Sequence, residues 1–144
     1  MRRRAAVVAL FSALSGLSLP ALTSPASADD CPLDLGHGTG LVLFSSQHML
    51  AFRPDPIRIE VGQPFSLLLN VCTRRGGPAE LLAVDSTMPE HKHGMNYAPT
   101  IVSRGDGRFR VEGMVFHMPG TWEVVFDVRS DGKTERLTHE IVLK

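Results

Sequence analysis

The residues with most chemistry to offer sit in one run, Met88-Pro89-Glu90-His91-Lys92-His93-Gly94-Met95-Asn96-Tyr97-Ala98-Pro99. Two of the chain's six histidines and two of its six methionines fall there within eight residues. Imidazole suits copper, zinc and nickel, whereas a thioether is a weak ligand that matters mainly for soft Cu(I). With no cysteine in the run, this mixture points to copper before zinc. His91, His93 and Met95 are spaced i, i+2, i+4, so an extended backbone puts all three on one face. Pro89 and Gly94 oppose a long regular strand, because one lacks a ladder donor and the other weakens pairing. A short extended segment at the mouth of a sheet is therefore expected. The same residues also fit a solvated polar loop with methionine as core filler, and the pattern alone does not separate the two.

Two further His/Met pairs stand elsewhere. His117-Met118 precedes Pro119-Gly120 at the end of a strand-like run, and His48-Met49 forms a looser pair upstream. His37 reads as a polar loop residue, and His139 as a strand residue near an edge.

The elements that must position these groups read as strands. Leu41–Phe44 is a short apolar run, and Arg53-Pro54-Asp55-Pro56 is a strong break. Ile57–Val61 alternates apolar and polar like a half-buried strand. Phe65–Val71 is nearly all apolar and ends at Cys72, as a central strand would. Ala79–Ser86 should deliver the His/Met run, although Pro78–Val84 also permits a short helix. Thr100–Val102 and Phe109–Phe116 flank the turn Arg104-Gly105-Asp106-Gly107, for which a plain hairpin is a better reading than an adhesion tripeptide. Trp122, Val124, Phe126 and Val128 alternate on one face and give the clearest core pattern. Asp131-Gly132 marks a hairpin into a last strand carrying Leu137, His139, Ile141 and Leu143 at one parity. About seven short strands separated by turns predict an immunoglobulin-like β-sandwich.

The N-terminus bears on compartment. Arg2, Arg3 and Arg4, an apolar stretch from Ala5 to Leu22 and the small-residue site Ala26-Ser27-Ala28 have the form of a signal peptide cut after Ala28; an uncleaved membrane anchor is the competing reading. The expected domain is then residues 29–144, periplasmic or secreted, with no second apolar run long enough to span a membrane. Losing three arginines takes the formal charge from zero to −3, and nothing suggests nucleic acid. Two cysteines in an exported chain are read most simply as one disulfide, Cys31 to Cys72. It would close a loop of about 40 residues and stabilise by about 4 kcal/mol in the chain-entropy model. A pair of thiolate ligands is the alternative.

The run Met88-Pro89-Glu90-His91-Lys92-His93-Gly94-Met95 and the later Gly113-Met114-Val115-Phe116-His117-Met118-Pro119-Gly120-Thr121-Trp122-Glu123 together resemble the YtkA-like/FixH-like family of small exported or membrane-attached domains. The resemblance runs from about Ile57 to the C-terminus. It implies an immunoglobulin-like sandwich and an association with copper handling or oxidase assembly. Because a sandwich clusters its loops at its ends, His91, His93, Met95 and His117 are expected to meet as ligands, with Met88 or Met118 as an adjustable soft donor. Met118 has the opposite strand parity to His117, so both join only if the Pro119-Gly120 turn twists the strand end.

The expected function is that of a copper-binding carrier, buffer or metallochaperone. It would hand the ion to an exported or membrane-bound copper-accepting protein. The alternative is a metal-free module that binds another exported protein through the His/Met loop and Tyr97. An enzyme is not expected, since the chain has neither a G-x-S-x-G elbow nor an H-E-x-x-H motif.

Overall fold

The computed structural model describes Leu35 and residues 40–144, all of whose regular elements are strands. The expected signal peptide at 1–28, Cys31 and His37 lie outside the described residues. The strands are β1 (Leu41–Phe44), β2 (His48–Asp55), β3 (Pro64–Thr73), β4 (Glu80–Met88), β5 (His93–Gly94), β6 (Thr100–Gly105), β7 (Arg108–Val115), β8 (Gly120–Ser130) and β9 (Lys133–Leu143). They form two antiparallel sheets, one ordered β1-β2-β3-β7-β6 and the other β5-β4-β8-β9. The run β2-β3-β7-β6 facing β4-β8-β9 has the A-B-E-D against C-F-G order of an immunoglobulin-like sandwich. β1 and β5 extend one edge of each sheet, which takes the described strands to nine where about seven were expected.

The core lies between the sheets and follows strand parity. Leu50 and Phe52 of β2, Phe65, Leu67, Leu69 and Val71 of β3, and Val111 of β7 are buried from one side. Val84 and Met88 of β4, Trp122, Val124, Phe126 and Val128 of β8, and Leu137 of β9 meet them from the other. Phe52 packs on Phe126 with ring centroids 5.1 Å apart, and Phe65 on Phe116 at 4.9 Å. Each such aliphatic or phenyl side chain contributes about 1.5–3 kcal/mol by leaving water.

The structure departs from the sequence reading in two stretches. Ile57–Val61 alternates but forms no strand, and Ile57 and Val61 are exposed while Ile59 packs partly on the core. The segment is confined between Pro56 and the Gly62 turn, where φ is +76°, so it serves as the connection between β2 and β3 of one sheet instead of forming a strand. Conversely, β2 continues through Arg53 and Pro54, where a break was expected. β1 pairs with β2 only as far as Phe52, so on that side Pro54 has no ladder partner to disappoint, while its other side pairs with Leu67.

Candidate metal centre at one end of the sandwich

β4 ends at Met88, whose carbonyl accepts a hydrogen bond from the His91 N–H at 3.1 Å. Pro89, with φ fixed near the value a turn needs, follows at once. The Lys92 N–H then donates to the Pro89 carbonyl at 3.4 Å, with Lys92 itself left-handed at φ +55°. The chain returns as β5, where His93 pairs with Met88 and Gly94 with Thr87. The Met95 N–H extends this pairing to the Ser86 carbonyl at 3.1 Å. Gly94 suits this return because a Cβ there would lie 2.8 Å from the Ser86 carbonyl oxygen.

This geometry corrects the expectation that His91, His93 and Met95 share one face of an extended segment. His91 lies in the turn, and the left-handed Lys92 breaks the alternation before His93. The turn nevertheless brings the His91 and His93 rings side by side, with centroids 5.7 Å apart. His93 shares its row with the fully buried Met88, so it stands on the inner face at the open end of the sandwich.

The second half of the site comes from the corner where the chain leaves one sheet for the other. β7 ends at Val115, Phe116 is buried, and His117 turns outward. The Phe116 carbonyl is held by the Gly62 N–H at 2.8 Å. The corner itself is held by Trp122, whose Nε1–H donates to the Met118 carbonyl at 3.0 Å. Trp122 is fully buried and stacks on Phe116, centroids 4.6 Å apart and planes 8° from parallel. Its ring meets His117 edge-on at 5.2 Å and His93 at 6.1 Å. One indole is thus the floor beneath two imidazoles from different parts of the chain.

His93 and His117 lie with centroids 5.2 Å apart. Two imidazoles bound to one ion through bonds of about 2.0–2.1 Å have centroids roughly 4.5–6 Å apart, so both neighbouring ring pairs fall in the span that an ion could bridge. Among the described residues, however, no group of three or more His, Cys, Asp and Glu side chains is placed to hold a metal ion. The three imidazoles form a row, not a closed cage. The thioethers are distributed around it. Met88 is fully buried, while Met95 and Met118 are half-buried against the core. Met88 lies under the corner, since a Cβ on Gly120 would come within 2.6 Å of its Cε. His117 is exposed where Met118 is not, the opposite facing that their parities imply.

No protein-family model matches the chain, and neither a curated protein nor a solved structure matches it. The candidate site therefore rests on its own geometry.

His48-Met49 does not extend this site. In the β2–β3 register His48 faces Thr73, whereas the opposite end of β3, Pro64, faces Val115 beside the His117 corner. His48 is fully buried, with Nδ1 2.6 Å from Glu135 Oε2 and Nε2 2.8 Å from Ser130 Oγ. Glu135 also accepts hydrogen bonds from the Ser45 and Ser46 hydroxyls and from the Gln47 N–H. The sequence Ser130–His48–Glu135 has the hydrogen-bond order of a catalytic triad, but here it fastens the β1–β2 turn to the β8–β9 hairpin. A cue was available: Glu135 shares the inward parity of Leu137 and His139, an odd place for a carboxylate without a partner. His139 itself packs edge-on against Phe52 at 5.5 Å.

The serine hydroxyls and His48 hold the Glu135 carboxyl down to about 2 from an ordinary 4.5. A depressed acid stabilises the fold above its unfolded value and loses that contribution as pH falls toward its folded one. The stability difference between the wild type and Glu135→Gln should accordingly be full at neutral pH and shrink between about pH 4.5 and 2. Urea denaturation of both proteins across that range measures it. A pH-independent difference would mean that the clamp does not depend on the carboxylate charge.

Proposed function

We propose that this chain is an exported copper-binding protein of the YtkA-like/FixH-like kind, acting as a carrier, buffer or metallochaperone and not as an enzyme. The observation that carries the reading is the approach of His93 and His117 to 5.2 Å over one tryptophan, although one comes from β5 and the other from the corner between β7 and β8. His91 extends the row, and Met95, Met118 and Met88, which flank these histidines in the chain or in strand register, would be the soft donors. Imidazole accepts both copper oxidation states and thioether favours Cu(I). The site would close on the ion by rotation of the exposed His91 and His117, and their exposure would let ligands exchange one at a time with a copper-accepting partner. Cys72 is buried and not a free thiol, which supports a Cys31–Cys72 disulfide and, with it, an oxidising compartment.

Titration of residues 29–144 with Cu(I), Cu(II) and Zn(II) tests the reading. One copper per chain, held more tightly than zinc, is the expected result; no copper binding would sink it. The second reading, a metal-free module for another exported protein, is favoured by one observation: Tyr97 is exposed just beyond the His/Met turn. That reading expects binding to survive loss of the histidines.

A further inference from the structure

At the end of the sandwich away from the histidine row, a cleft of about 710 Å³ opens between the β3–β4 connection and the β8–β9 hairpin. Its volume is in the range of small-molecule sites, but its walls are polar and charged. Arg74, Arg75, Arg129 and Lys133 line it, against only two carboxylates, Glu80 and Asp131. The whole chain has no net charge, so this is a local concentration of cations.

Those cations are not equivalent. Arg129 is committed, with two nitrogens on Glu80 Oε2 at 2.7 and 2.8 Å. Arg74 is posed without being neutralised: its Nη1 donates to the Ser45 carbonyl at 3.2 Å, and its guanidinium lies 5.8 Å from the Phe44 ring centroid. Arg75 and Lys133 have no carboxylate partner among the described residues. Asp131 has no ion-pair partner among the described residues and offsets one of these charges, while nearby Glu135 is engaged by His48, Ser45, Ser46 and Gln47. Arg74, Arg75 and Lys133 against Asp131 thus leave the cleft with an excess of positive charge, an arrangement that attracts an incoming anion.

We propose that this cleft binds a small polyanion, a ligand bearing two or more carboxylate or phosphate groups. Two guanidinium forks can each take an oxyanion bidentately, and the lysine adds a point charge. A single negative charge would leave part of that excess unanswered, so monoanions should bind more weakly than polyanions. The site is separate from the proposed copper centre, so either can fail without the other.

The test is NMR titration of the metal-free protein with citrate, with pyrophosphate and with acetate, beside the Arg75→Gln/Lys133→Gln variant. Both substitutions lie at exposed positions, so the variant should keep the wild-type spectrum elsewhere. Citrate or pyrophosphate should shift the amides of residues 73–77, 79 and 129–133, and whichever binds more tightly gives the ligand's chemical class. The variant should weaken that binding at least roughly tenfold, and raising salt from about 0.05 to 0.5 M should weaken it too. The proposal is overturned if neither polyanion shifts those amides, if acetate binds as well, or if the double variant binds as tightly as the wild type.

Discussion

The His91→Ala/His93→Ala/His117→Ala variant is expected to lose copper affinity by at least about a hundredfold, judged against the 10–100-fold that a supporting residue alone is worth at a metal site. It should remain folded. His91 and His117 are exposed, and surface substitutions of that kind move stability by about 0.5 kcal/mol or less. His93 is half-buried, but its ring lies at the rim of the core, edge-on to Trp122. Competition with a copper chelator, run beside a thermal melt, separates lost ligands from lost fold. Among single variants, His93→Ala and His117→Ala should cost more than His91→Ala, because their rings share the Trp122 floor and lie closer together than His91 and His93 do. Wild-type affinity in the triple variant would remove the histidine row from the site and leave the partner-binding module as the reading to pursue.

Strand identity was legible where local pattern and burial agreed. Trp122, Val124, Phe126 and Val128 alternate, and all four are fully buried. Asp131 and Gly132 both take positive φ in the hairpin they were expected to form. The pattern misled where an irregularity shifted parity. A register shift between Leu81 and Ala83 turns Val84, Ser86 and Met88 inward and leaves Leu82 exposed, so a run of apolar residues there could not say which faced the core. Ile57–Val61 failed for a different reason: alternation describes a strand only if a neighbouring strand is available, and none among the described residues pairs with it.

The candidate site was legible in composition but not in arrangement. The histidines and methionines could be named from the sequence, yet what brings them together is non-local. His93 reaches the inner face through its pairing with Met88, and the corner that connects the sheets brings His117 alongside it. Neither fact has a local signature. The left-handed Lys92 was equally invisible, because lysine carries no marked preference for that conformation. The cationic cleft is the extreme case. Arg74 and Arg75 are far from Lys133 in the chain, and only the fold sets them against it.

Trp122→Ala should be the most damaging single substitution at the histidine end, costing about 3–5 kcal/mol as expected for truncating a buried aromatic. The loss is more than volume, since the indole stacks on Phe116, carries the edges of His93 and His117 and holds the Met118 carbonyl. Trp122→Phe isolates the last of these roles. A phenyl ring keeps much of the packing but leaves the Met118 carbonyl without its donor, at about 1–3 kcal/mol for an orphaned buried group. The fold should survive, measured by urea denaturation, while the corner loses the tie that fixes His117 and Met118. If that tie positions the ligands, the folded Trp122→Phe protein should bind copper roughly tenfold more weakly. Copper affinity unchanged from wild type would confine Trp122 to packing. The wild type carries its own reporter for this end of the molecule: Trp122 is the single tryptophan in the chain. Its fluorescence should therefore respond to copper, and the response should disappear in the triple histidine variant although the tryptophan is still there.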